Sequence, residues 1–156
     1  MTSTKRIQFT TTIQAPASVI WRHITDLESY KQWTAPFAEG SCFQGSWEQG
    51  DKIKFLAPSG DGMLSEIAES RAHAFISIRH LGFIVNGVED TTSEAVRAWA
   101  PAYENYTLVP TAEGTTMVVD QDVTADWEDY LSQAWPKALE ILKALSEANG
   151  NALPPS

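Results

Sequence analysis

The chain has 156 residues, 43% of them hydrophobic and six of them tryptophan, which is enough for one sizeable core and favours a single domain over residues 1–150. Its net charge is −9 and its longest basic run is Lys5-Arg6, which argues against nucleic acid as a partner. A single cysteine, Cys42, excludes an internal disulfide. The sequence shows neither a signal-peptide pattern nor an apolar run of the roughly 18 residues that span a bilayer, so we expect a cytoplasmic protein with no membrane partner.

The first part of the chain predicts one strand followed by two helices. Residues 7–13 alternate apolar and polar side chains, as a half-buried strand does. Pro16 suits a first helical position, and we expect a helix from there through about Leu27, with Leu27 on its inner face. A second short helix follows, with Tyr30 and Trp33 as its apolar contacts.

Beyond the second helix the apolar pattern changes to a period of two, which indicates strands joined by short turns. The longest interruption is an acidic stretch at 84–101, whose later part is compatible with a helix. Expected strands lie at 41–47, 52–57, 63–70, 75–83, 103–109 and 115–123.

The chain closes with a helix that we expect from Asp126, a good N-cap, to Ala148, before a stop signal at Asn149-Gly150. Pro136 inside this helix predicts a kink. Residues 151–156 read as a frayed C-terminal tail. The helix carries an apolar stripe wide enough to cover a sheet, formed by Trp127, Leu131, Ala134, Trp135, Ala138, Leu142 and Leu145.

A strand, two short helices, a run of strands and a long final helix together predict an α+β domain with an antiparallel sheet and its helices on one face. Several short motifs follow in an order that resembles the SRPBCC superfamily, and within it the activator of Hsp90 ATPase homologue 1-like domain. They are Ile13-Gln14-Ala15-Pro16 with Val19 and Trp21, then Trp33, Gly45-Ser46-Trp47, Gly50-Asp51-Lys52, and Trp135-Pro136-Lys137-Ala138-Leu139 with Leu142. The resemblance implies the helix-grip (Bet v 1-like) fold, in which a curved sheet of about six to seven strands wraps around the final helix.

The sequence contains no motif for nucleophilic hydrolysis or for nucleotide binding. Its cysteine and histidines never fall at metal-ligand spacing. We therefore predict neither a metal site nor a cofactor.

Three polar side chains on the expected strands are candidates for the interior. His80 shares a face with Ile78, so it either enters a cavity or lies at the sheet rim against a backbone carbonyl. Tyr106 shares a face with Leu108, and Glu104 would then also point inward unless it lies at the mouth or is a strand-edge charge.

Two further residues carry specific expectations. Gln121 falls in line with apolar residues of its strand and would need a hydrogen-bond partner there. The acidic stretch that ends near Trp99 is either a flap anchored by that indole or a surface loop in which Trp99 packs for stability.

The resemblance leaves three functions open. The first, which we adopt, is binding of a hydrophobic or neutral small molecule between the sheet and the final helix. The second is a cyclase- or hydrolase-like enzyme acting on a hydrophobic substrate, and the third is a cofactor of a chaperone. Candidate cavity residues are Ile53, Phe55, Ile78, His80, Tyr106, Met117, Trp135 and Leu139, with Trp99 and Glu104 at a lid or mouth.

Overall fold

The computed structural model describes residues 4–152, with side chains through residue 148. Its strands are β1 (Thr4–Ile13), β2 (Cys42–Gly45), β3 (Lys52–Leu56), β4 (Gly62–Arg71), β5 (Phe75–Val85), β6 (Val88–Asp90), β7 (Ala102–Thr111) and β8 (Gly114–Thr124). Its helices are α1 (Ala17–Thr25), α2 (Leu27–Trp33), α3 (Glu94–Arg97) and α4 (Ala125–Ala152).

The strands form one open antiparallel sheet in the order β1-β8-β7-β5-β4-β3-β2. The three-residue strand β6 pairs only with the end of β5, and it lies in the stretch expected to leave the sheet. Apart from that added strand, the predicted α+β helix-grip architecture is confirmed.

The break between the first two helices differs from the prediction. Asp26 has extended backbone angles, so α1 ends at Thr25 instead of reaching Leu27. The Asp26 carboxylate accepts a hydrogen bond from the Ser29 backbone N–H and caps α2. Leu27 therefore opens the second helix and is exposed, where we expected it to face inward. Pro16 is the N-cap of α1 and not its first helical residue.

The long helix α4 begins at Ala125, immediately after β8, so Asp126 lies in its first turn and is not its N-cap. It continues through Pro136 and past Asn149-Gly150 to Ala152, because glycine weakens a helix by only about 1 kcal/mol and does not by itself end one. Trp127, expected on the buried stripe, is 56% exposed in that first turn. Of the predicted frayed tail at 151–156, residues 153–156 lie outside the described residues.

The core lies between the inner face of the sheet and the helices α1, α2 and α4. The C-terminal half of α4 is tied to the end of β1: the Gln14 backbone N–H donates to Glu147, and Lys143 Nζ donates to the Thr12 carbonyl at 3.1 Å. Its N-terminal half is tied to the start of β1 by an ion pair of 2.7 Å between Lys5 Nζ and Glu128. In the part of the chain that is described, no helix is long and apolar enough to cross a membrane.

Candidate functional site

A pocket of about 610 Å³ opens between the inner face of the sheet, α2, the segment around α3 and the N-terminal half of α4. This volume lies in the range of about 300–1,000 Å³ that is typical of small-molecule sites. The helix α4 begins directly after β8, and Trp127, Tyr130 and Leu131 in its first turns line the pocket.

The wall of the pocket is rich in aromatic side chains. Trp33 and Trp135 lie with their rings 6.0 Å apart, and Phe37 meets Trp135 edge-on at 4.9 Å. Tyr30 stacks on Phe55 at 6.1 Å. The aromatic lining residues are Tyr30, Trp33, Phe37, Phe55, Phe83, Trp99, Tyr106, Trp127, Tyr130 and Trp135. Such rings offer a ligand a large apolar area with specific ring-to-ring geometry.

Glu104 stands on this wall at the centre of a hydrogen-bonded cluster that reaches back into the sheet. Its Oε1 lies 3.0 Å from Nε2 of His80, and its Oε2 accepts a short hydrogen bond from the Tyr106 hydroxyl. The other ring nitrogen of His80, Nδ1, lies 2.7 Å from Oγ of Ser65. His80 and Ser65 are fully buried behind the wall, so Glu104 is the member of the cluster with the best access to the pocket.

The two buried tyrosines near this cluster keep their phenolic protons. Burial raises the pKa of Tyr106 well above its usual value, and the charge of Glu104 and the hydrogen bond to it raise it further. Burial also raises the pKa of Tyr30, with a smaller contribution from the charge of Glu104. Tyr106 is therefore a fixed donor to the Glu104 carboxylate.

Gln121 lies at the boundary between the pocket and the core. It is buried on the inner face of β8, as its position in the alternation predicts, and its Oε1 accepts a hydrogen bond of 2.7 Å from Nε1 of Trp135. This bond supplies the partner that the sequence pattern required. It also joins the N-terminal half of α4 to the sheet.

The charged residues that line the pocket are all acidic. Asp61, Asp122 and Asp126 accompany Glu104, and among the described residues no lysine or arginine lines the pocket. Asp122 is neutralised on the outer face of the sheet by Arg6 at 2.9 Å. Asp126 is exposed in the first turn of α4, and Asp61 accepts a hydrogen bond from the Asn86 backbone N–H, so Glu104 is the carboxylate held within the wall itself.

The segment after β6 covers one side of the pocket. The Trp99 indole stacks on Phe83 at 4.7 Å and on His80 at 5.6 Å, and it also lines the pocket. Ser93 caps α3 by accepting from the Val96 backbone N–H, and Val96 is buried. Trp99 thus packs against the sheet and forms part of the wall at once.

The structure separates the predicted site residues into two groups. Those that line the pocket are Phe55, Trp99, Glu104, Tyr106 and Trp135. Those that do not line it are Ile53, Ile78, His80, Met117 and Leu139, which are buried in the core. The second group faces inward as expected, but there α4 and its neighbours close onto the sheet, and His80 lies behind Glu104 and Trp99.

Several residues that matter to the site were not selected from the sequence. Ser65 shares a face of β4 with Met63 and Ile67, so alternation alone would have placed it inside. Tyr30 and Trp33 were expected as apolar contacts of a helix but not as pocket wall. Phe83 carries no local signal, because its role depends on the fold-back of the segment that bears Trp99.

Among residues 4–152, no group of three or more His, Cys, Asp or Glu side chains is arranged to hold a metal ion. Cys42, which is partly buried on β2, is a free thiol.

An open antiparallel sheet that grips a long C-terminal helix over an internal pocket defines a helix-grip domain of the SRPBCC type. The chain belongs to the family described as activator of Hsp90 ATPase homolog 1-like protein, whose model matches residues 14–147. No curated protein sequence matches the chain significantly.

Solved structures share the fold at low sequence identity. Protein MLL2253 from Mesorhizobium loti is 18% identical, with a TM-score of 0.69 over 90% of this chain and 96% of the other. The Aha1 dimer from Colwellia psychrerythraea is 16% identical, with a TM-score of 0.65 over 94% and 96%. DynU16, from the dynemicin biosynthetic locus, is 19% identical with a TM-score of 0.68, and the match covers 93% of this chain but 48% of DynU16.

Proposed function

We propose that this protein binds a hydrophobic small molecule in the pocket between the inner face of the sheet and the N-terminal half of α4. The observation that carries the proposal is the ligand-sized volume of about 610 Å³ behind a wall of aromatic side chains. A few polar groups converge on this wall, chiefly Glu104, Tyr106 and Gln121, as they do in sites that orient a largely apolar ligand.

The described residues that line the pocket include acidic side chains and no basic ones, and this determines which ligand charges the pocket favours. Its carboxylates, together with the net charge of −9, repel anions. Neutral or cationic compounds with an apolar body are therefore the ligands that the pocket accommodates best.

The test is calorimetric titration with naphthylmethanol, a neutral aromatic probe, against the wild type and two phenylalanine variants. Ala98 lines the pocket beside Trp99, so Ala98→Phe places a ring inside it. Ala112 lies in the exposed turn between β7 and β8, so Ala112→Phe makes the same chemical change far from the pocket.

We expect naphthylmethanol to bind the wild type and Ala112→Phe with equal affinity and Ala98→Phe at least about tenfold more weakly. Equal binding to all three proteins would place the probe elsewhere and contradict the proposal. Circular dichroism of each variant establishes that the fold is retained.

A second candidate function is an enzyme that acts on a hydrophobic substrate. The line of hydrogen bonds from Ser65 through His80 to Glu104 favours it, because a carboxylate held in a pocket and backed by an imidazole can serve as a general base. If aromatic compounds bind and none is converted to a product, the result favours the binding function over the enzyme.

A chaperone-related interaction is a third candidate, favoured by the family to which the chain belongs. If the protein is a chaperone cofactor, it should bind purified Hsp90. Comparing the wild type with Ala98→Phe then shows whether the pocket forms part of that contact. Measuring both interactions on the same variant separates the pocket from a protein-binding surface.

A further inference from the structure

The Glu104 carboxylate is held at the pocket wall by hydrogen-bonding side chains of the neighbouring strands. The Tyr106 hydroxyl donates to one oxygen, and the other lies 3.0 Å from Nε2 of His80. Ser65 lies 2.7 Å from Nδ1 and can donate to that nitrogen. Each polar group of the cluster therefore has a hydrogen-bond partner within the protein.

Two arginines on strands of the same sheet, Arg79 and Arg6, have their partners on its outer face. Arg79 contacts Glu66 at 2.5 Å and the Tyr103 hydroxyl at 2.9 Å. Arg6 is paired with Asp122. The charged side chains among the described lining residues are all carboxylic acids, with no lysine or arginine beside them.

The surroundings of Glu104 favour a cation over a neutral group. Its carboxylate stands in a wall of tryptophan, tyrosine and phenylalanine side chains, of which Tyr106 bonds to it directly. Aromatic rings attract cations over their faces, and the attraction grows when water is excluded. A carboxylate within an aromatic wall is a combination suited to an amine or ammonium group.

We infer that the ligand of this pocket carries a positively charged nitrogen on an apolar body, with the nitrogen paired to Glu104 and the body held among the aromatic side chains. This inference rests on the proposed binding function and names the chemical class of its ligand.

Three matched probes test it: naphthylmethylamine, which is a cation at neutral pH, the neutral naphthylmethanol and the anionic naphthoate. An ammonium group adds the attraction of opposite charges to the hydrogen bond that a hydroxyl could also donate to the carboxylate, so the amine should bind about tenfold or more tighter than the alcohol. Naphthoate should bind more weakly than the alcohol. Calorimetry of the wild type gives all three dissociation constants.

The Glu104→Gln variant removes the charge and keeps the shape of the side chain, so it should bring the amine and the alcohol to nearly equal affinity. The matched control is Glu113→Gln, which makes the same change in the exposed β7–β8 turn and should preserve the preference.

The outcomes separate the inference from the proposed function. If the alcohol binds wild type as tightly as the amine, or if the preference for the amine survives Glu104→Gln, the inference is overturned while small-molecule binding stands. If none of the three probes binds, both are overturned. If Glu104→Gln does not fold, the affinities of the three probes for the wild type still test the inference.

Discussion

Nε1 of Trp135 donates a hydrogen bond of 2.7 Å to Oε1 of Gln121, and this contact joins the inner face of β8 to the N-terminal half of α4. The indole is 1% exposed and packs against the rings of Trp33, Phe37 and Tyr106. The position of α4 over the sheet, and with it the shape of the pocket, depends on this pair.

Replacing Trp135 with alanine should lower the free energy of unfolding by about 3–5 kcal/mol, as large aromatic truncations in cores do. The matched control is Trp127→Ala on the same helix, where the side chain is 56% exposed and the change should stay within about 0.5 kcal/mol. Urea unfolding of both variants measures the difference. Equal effects would contradict the packing described for α4.

The substitution Gln121→Leu should cost about 1–3 kcal/mol, because it leaves the buried indole N–H of Trp135 without an acceptor. Adding Trp135→Phe removes that donor, so the double variant should lose less than the sum of the two single losses. A double-mutant cycle by denaturant unfolding measures this coupling. Strict additivity would show that the hydrogen bond does not contribute.

His80→Ala should reduce stability more than it reduces the affinity for naphthylmethanol. The side chain is buried behind the pocket wall, and its removal leaves Ser65 and Glu104 each short of a hydrogen-bond partner. Each such loss costs about 1–3 kcal/mol. Unfolding and titration experiments on the same variant decide, and a large loss of affinity at unchanged stability would mean that His80 contacts the ligand.

Stability should fall as the pH is lowered below about 5. The hydrogen bond from Arg79 holds the pKa of Glu66 below its usual value near 4.5, and the backbone N–H of Gln14, with Lys143, does the same for Glu147. A carboxylate whose pKa is lower in the folded state contributes stability that is present above the unfolded pKa and is lost as the pH falls through the folded one.

Urea unfolding from about pH 3 to about pH 7, a range that includes the titration of carboxylates, measures this dependence. Glu66→Gln and Glu147→Gln should each flatten the acid limb of the curve without changing its direction. An unaltered acid limb in both variants would show that these two ion pairs do not account for it.

The fold was predictable because the strands alternate clearly and the closing helix carries a continuous apolar stripe. Even the partner of Gln121 was implied, since a polar residue at an inward position of a strand requires one. The errors fall where two elements meet. Leu27 and Trp127 each lie in the first turn of a helix, where periodicity gives the inner face but not whether anything covers it.

The site was predictable only in part, for a related reason. The alternation of apolar and polar residues predicts that Tyr106 and Met117 face the same side of the sheet, and both are buried there. Tyr106 lines the pocket, whereas Met117 is buried in the core. Which inward residues meet empty space depends on how α2, the segment around α3 and α4 are placed over the sheet, a three-dimensional relationship that no local pattern encodes. Phe83 and Trp99 illustrate the same limit, because their stacking requires the segment between them to fold back.

The central claim is that a small apolar ligand enters the pocket, and the indole N–H signals of the tryptophans report on it directly. Trp33, Trp99, Trp127 and Trp135 line the pocket, whereas Trp21 packs against His73 outside it. In a ¹⁵N–¹H correlation spectrum titrated with naphthylmethanol, the signals of the four lining tryptophans should shift together and saturably while that of Trp21 stays in place. Shifts confined to Trp21 and other residues outside the pocket, with the four lining indoles unchanged, would contradict the account.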